Sequence, residues 1–156
     1  MGIIKLSKVT VRRGRSQVLD NWSISVDSGE VVCLSGANGC GKSTVIETAA
    51  GLIPMEKGSC EVSGQLIRDS QGRRGRTNFG LCLQDDCIMG DELVGERVQD
   101  AAGCNFDVSS LLANWGLDHR IHDRVAMLSG GQRRRVALLC GLIPAMISSE
   151  PIAVLL

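Results

Sequence analysis

The stretch VVCLSGANGCGKSTVIETAAG, from Val31 to Gly51, decides how this chain is read, because it joins an apolar run to a glycine-rich loop and then to a helical pattern. Glu30-Val31-Val32-Cys33-Leu34-Ser35 predicts a buried strand, and Ser43 to Ala50 predicts a helix stopped by Gly51. Between them, Gly36, Gly41, Lys42 and Ser43 stand at the spacing G-x-x-x-x-G-K-[ST] of a phosphate-binding loop. The glycines let the backbone turn sharply and aim successive N–H groups at an anion. Lys42 would reach the β- and γ-phosphates, the Ser43 hydroxyl would ligate Mg²⁺, and the helix begun by Lys42, Ser43 and Thr44 adds its positive end. A plain glycine-rich turn needs neither the strand before it nor the helix behind it.

The chain has 156 residues, about one domain, and its 17 Lys and Arg balance 17 Asp and Glu. No bulk charge therefore draws it to nucleic acid or to an anionic membrane. The basic runs Arg12-Arg13, Arg73-Arg74-Gly75-Arg76 and Arg133-Arg134-Arg135 read as solvated faces, and two Trp, two Phe and no Tyr leave few rings for base stacking. Seven cysteines, Cys33, Cys40, Cys60, Cys82, Cys87, Cys104 and Cys140, form no C-x-x-C pair. Free, mostly buried thiols in a reducing compartment are expected, not a structural metal site. The N-terminus lacks an apolar signal core. Val136 to Ile147, the longest apolar stretch, is far short of the roughly 20 residues of a spanning helix and contains Pro144.

Around the loop, alternation from Ile3 to Val26, with a turn at Arg13-Gly14-Arg15-Ser16, predicts two or three antiparallel strands. Ser59 to Ile67 with Gly64 at its middle reads as a hairpin, and Arg68 to Thr77 as a polar surface loop. Asn78 to Leu83 is a compact strand that leads to Gln84. Asp91 to Gly103 and Asp107 to Trp115 carry apolar residues at helical spacing, a small helical insertion. Leu128-Ser129-Gly130-Gly131-Gln132 then opens a helix over Arg133 to Leu142, and Pro151 to Leu156 is an apolar strand. Alone, S-G-G-Q is as readily a helix cap as an anion site.

In this order the pieces resemble the nucleotide-binding domain of ABC-type ATPases, from Met1 to Leu156, on the strength of GANGCGKST and LSGGQRRRVAL. The resemblance implies an α/β fold: a P-loop NTPase core with an N-terminal antiparallel β subdomain and an inserted helical subdomain. Residues 1–87 would form the β subdomain and P-loop core, 88–128 the helical insertion, and 129–156 the return to the core. It implies that Gly36, Ala37, Asn38, Gly39, Cys40, Gly41, Lys42, Ser43 and Thr44 hold ATP, with Mg²⁺ on Ser43 and Gln84. Lys42 and Gln84 would serve catalysis, and the loop from Asp85 to Gly90 would touch a transmembrane permease. Ser129, Gly130, Gly131 and Gln132 would close over ATP held by a second nucleotide-binding domain. Such a subunit would lie on the cytoplasmic face of a membrane and would bind no nucleic acid.

Two departures stand out. Where the family commonly stacks an aromatic on adenine, this chain has Arg13, with Val18 on the same adenine and ribose side; a guanidinium stacks on a base, but Arg13 is equally a solvated turn arginine. The family's apolar strand is followed by an Asp for Mg²⁺ and a Glu for the attacking water, and the sequence stops at Leu156. The chain as given is therefore expected to bind nucleotide and to turn it over slowly or not at all. Its expected function is the ATP-binding subunit of an ABC transporter. The alternatives are a nucleotide-dependent regulatory module without turnover, or a soluble ABC protein of DNA repair or translation.

Overall fold

The computed structural model describes residues 2–75, 79–82, 90–103, 106–150 and 152–156. They fall into two compact units, Met1–Phe79 with Pro151–Ala153, and Gly80–Glu150 with Val154–Leu156.

The first unit is built on strands β1 (Gly2–Arg13) and β2 (Ser16–Asp27), a hairpin turning at Gly14-Arg15 as the sequence predicts. Helix α1 (Lys42–Ala49) and a second hairpin, β3 (Lys57–Val62) and β4 (Gln65–Asp69), complete it. The sheet order is β2-β1-β3-β4, antiparallel throughout. Side chains on a strand alternate between faces, so one extra residue would turn β1 inside out. The register shift between Leu6 and Val9, where Lys8 adopts a φ of 49°, absorbs that residue. The buried positions pass from even, Ile4 and Leu6, to odd, Val9 and Val11, on one continuous apolar face. Helix α1 packs against β1, β2 and β3.

Three expectations for this unit are corrected. Glu30 to Ser35 forms no strand and is not buried: Val31 is 94% exposed and Cys33 is exposed. An apolar run with both faces oily is stable as a strand only when neighbours pair with its edges and layers cover its faces, and no described strand pairs with it. Cys40 is exposed as well, on the phosphate loop, so among the described thiols burial holds for Cys60 and Cys82 and partly for Cys140; Cys87 and Cys104 lie outside the described residues. The polar tract begins inside the sheet, since Arg68 and Asp69 end β4 and are buried. Their burial is compensated by bonding: Arg68 Nη1 donates to the Gly51 carbonyl at 3.1 Å, and Asp69 accepts from the N–H groups of Gln71 and Arg73.

In the second unit, β5 (Gly80–Leu81) pairs in parallel with β6 (Val154–Leu155). Between them in sequence lie α2 (Val94–Ala102), α3 (Val108–Asn114) and α4 (Gly130–Ile147). The helical spacing read from the sequence is the core: Val94, Val98 and Ala102 of α2 meet Val108, Leu111 and Leu112 of α3 and Val136, Leu139 and Ile143 of α4. Helix α4 outruns its expected end at Leu142 and passes Pro144 to reach Ile147. Proline forfeits one backbone bond and crowds the carbonyl four residues back. Here it stands next to the fully buried Ile143, whose packing opposes a break. Among the described residues no helix is long and apolar enough to cross a membrane.

Candidate functional site

The loop from Gly36 to Gly41 is exposed or nearly so and is shaped by three left-handed glycines, Gly36 (φ 152°), Gly39 (φ 82°) and Gly41 (φ 103°). Its closure is a lysine. Lys42 Nζ donates to the carbonyls of Gly36 at 2.9 Å and Ala37 at 2.8 Å, and lies 3.9 Å from Cys40 Sγ. The ammonium is thus held by the loop's own backbone, and Asn38 of the same loop is exposed.

Helix α1 leaves this loop without a side-chain cap, its N-cap being Gly41. Helix α3, by contrast, is capped by Asp107, whose carboxylate accepts from the N–H groups of Ser109 and Ser110. That carboxyl is held below its ordinary range by the Ser110 hydroxyl and the two backbone donors. The first turn of α1 has no such tenant, Ser43 in it is exposed, and Thr44 is packed beneath. An uncapped helix start, a lysine at a glycine loop and an accessible hydroxyl in the first turn form a donor set that fits a polyphosphate and a hard cation.

The tip of the first hairpin stands over this loop. A β-carbon on Gly41 would come within 2.9 Å of Val18 Cγ1, so Val18 is packed on the loop's last glycine. Arg13 is ion-paired with Glu47 of α1. The structure therefore brings Val18 and Arg13 together with the phosphate loop, and Glu47, which the sequence reading missed, is the reason Arg13 sits there. Nothing in sequence could pair them, since the contact is made by folding the hairpin onto the helix.

Leu128-Ser129-Gly130-Gly131-Gln132 forms the start of α4 as a capping box. The Ser129 N–H donates to Gln132 Oε1 at 3.0 Å, and the Gln132 N–H donates to Ser129 Oγ at 3.3 Å. The S-x-x-Q spacing is itself the signal for such a box. Gly130 and Gly131 are exposed, and a β-carbon at either would meet nothing within 4 Å. Gln84 lies outside the described residues, as do Asp85 to Ile88 and Met89 of the loop that follows it.

Fold and loop together define a P-loop nucleotide-binding domain of the α/β class, with an antiparallel N-terminal sheet. The family model described as ABC transporter matches residues 19–147. The chain is 35% identical over 151 residues to the Fe(3+) ions import ATP-binding protein FbpC of Streptomyces coelicolor, covering 91% of this chain and 42% of that protein. It is 32% identical over 167 residues to the glutamate/aspartate import ATP-binding protein GltL of Escherichia coli, covering 98% of this chain and 69% of that one. Among solved structures, an ATP binding subunit of an ABC transporter superposes with a TM-score of 0.76 at 22% identity, covering 91% of this chain and 62% of that one. The chain CbiO1 of Clostridium perfringens, part of the transporter complex CbiONQ, gives 0.68 at 21%, covering 92% and 62%. These two likenesses establish the fold. The chain belongs to the ABC transporter family. It spans less than half the length of FbpC.

Proposed function

We propose that this chain binds ATP as the nucleotide-binding portion of a transporter subunit, and that ATP bound by one copy is closed over by α4 of a second. The observation that carries the second half is the pair Gly130 and Gly131. Glycine in a helix is about 1 kcal/mol less favourable than alanine, and here there is room for a methyl group at both positions. Among the described residues nothing gives a steric reason for either glycine. Close approach of another molecule to the exposed helix start does give one.

In this reading the loop from Gly36 to Thr44 cradles the triphosphate. Lys42 exchanges the carbonyls of Gly36 and Ala37 for phosphate oxygens, which are charged and therefore stronger acceptors. Ser43 would hold Mg²⁺, whose charge offsets that of the phosphates when it is bound. Arg13 and Val18 would border the nucleoside, and Gln84 would orient the attacking water and help to hold the metal. Ser129, Gly130, Gly131 and Gln132 add a helix N-terminus to the outer face of the phosphate in trans. The described groups at the loop, Lys42 and Ser43, position phosphate rather than activate water, and we propose slow turnover for the chain alone and hydrolysis for the whole protein. The division into 1–87, 88–128 and 129–156, a permease partner at the loop after Gln84, and a place on the cytoplasmic face of a membrane belong to the same proposal.

The test is a titration of the full chain with MgATP by calorimetry, followed by sedimentation with and without nucleotide. Lys42→Ala should weaken binding at least tenfold, whereas Gly131→Ala should bind ATP as the parent does yet fail to self-associate. A Gly131→Ala chain that pairs as well as the parent would sink the trans arrangement.

A further inference from the structure

Three arginines, Arg133, Arg134 and Arg135, follow the Ser129 capping box directly. Cations this close to a helix start oppose the positive end of its dipole, so each needs a local reason. For Arg135 the reason is visible. Its Nη1 donates at 2.8 Å to the carbonyl of Trp115, the residue that ends α3. Two carbonyls near that end are taken by backbone donors: the Gly116 N–H bonds to Ala113 and the Leu117 N–H to Leu112. The Trp115 carbonyl takes its bond from Arg135 instead. Its positive charge thereby moves from the unfavourable end of α4 to the favourable end of α3. Gly116 keeps the path clear, since a β-carbon there would already touch Arg135 Nη1 at 3.4 Å.

One residue further along, Val136 is fully buried in the same core as Leu117. Apolar packing behind the helix and a hydrogen bond in front of it therefore bracket its first two turns. We propose that Arg135 is a positioning residue: its bond to Trp115 fixes the rotation of the first turns of α4, and so the aim of the Gly130 and Gly131 N–H groups. This rests on the trans reading given above, which supplies the ligand at which those groups are aimed. A solvated arginine would leave the cap to its two internal bonds alone.

The full chain is compared with Arg135→Ala and Arg135→Lys by amide hydrogen exchange. In Arg135→Ala the N–H groups of Gln132 and Arg133, which bond to Ser129, should exchange roughly tenfold faster, the scale of one hydrogen bond, while Leu139 and Ile143 are unchanged. Lysine retains a donor long enough to reach a carbonyl, so Arg135→Lys should recover most of the protection. MgATP affinity should be the same in all three, and ATP-dependent self-association should be weaker in Arg135→Ala by a similar factor. Unchanged exchange at Gln132 and Arg133, or equal acceleration at Leu139 and Ile143, overturns the strut, as does a lysine variant no better than alanine. A parent chain that does not self-associate with ATP overturns the trans reading and the functional half of the proposal, while the exchange data judge the strut separately.

Discussion

Arg13, at the end of β1, is ion-paired with Glu47, one turn along the helix that begins at Lys42. The pair joins the hairpin tip to the helix that follows the phosphate loop. It is partly solvated, Arg13 being half exposed, so its direct share of stability is at most about 1 kcal/mol. Its larger effect should be on ligand binding. Arg13→Ala should shift the melting temperature little and weaken MgATP binding several-fold in calorimetry. An unchanged dissociation constant would remove Arg13 from the site and leave it a strut.

Gly41 should tolerate nothing larger than itself, for two separable reasons. Its φ of 103° lies where an L side chain is strained by about 1–3 kcal/mol, and a β-carbon would stand 2.9 Å from Val18 Cγ1. Gly41→Ala should therefore lose both stability and nucleotide affinity. Adding Val18→Ala should relieve the collision and leave the backbone strain. Denaturant unfolding of the two variants separates the effects, and a Gly41→Ala chain as stable as the parent would contradict both.

What the sequence made legible was whatever repeats at short range. The alternation from Ile3 to Val26 places the first hairpin, and the four-residue spacing of Val94, Val98 and Ala102 places α2 on its core. The capping box is written in Ser129 and Gln132. What stayed hidden depends on distant partners. Val31 to Leu34 has a strand's composition, but composition supplies no neighbour to pair with it. Arg68 and Asp69 look like loop residues until the Gly51 carbonyl and the Arg73 side chain are brought to them. Pro144 reads as a break, because the packing of Ile143 is not visible one residue at a time.

The buried thiols set an alkaline limit. Burial, helped by Glu61, pushes Cys60 from its ordinary 9.0 to about 12, and burial pushes Cys140 to about 11 against the opposing pull of Arg97. A thiol whose folded pKa is raised holds its proton longer in the native state, so its contribution is complete below about pH 9 and is lost as pH climbs toward the folded value. The chain has no Tyr to titrate in the same window. Urea midpoints should fall above about pH 9, and less steeply in Cys60→Ala; parallel curves would exclude the thiol as the cause. Asp69 has the opposite sign. Burial alone would raise its carboxyl, but the bonds from Arg73 and Gln71 outweigh burial and hold it below 3.8, so its contribution is lost on acidification.

The second unit has its own point of closest approach, at Gly80 of β5 and Gly141 of α4. A β-carbon on Gly80 would lie 2.0 Å from the Gly141 carbonyl oxygen, and one on Gly141 would lie 3.1 Å from Cys82 Cβ. The first obstacle is backbone, which cannot rotate away, and the second is the root of the buried Cys82 side chain, one residue past β5. Gly80→Ala must therefore push α4 off β5, and overpacking of this kind typically costs about 1–3 kcal/mol. Because α4 carries Ser129 to Gln132 at its far end, the loss should extend to function. Gly80→Ala should lower the urea midpoint and weaken ATP-dependent self-association, while the affinity of the phosphate loop for MgATP, set in the other unit, should hold. A Gly80→Ala chain with the parent's urea midpoint would show that helix and strand do not meet as closely as their glycines require.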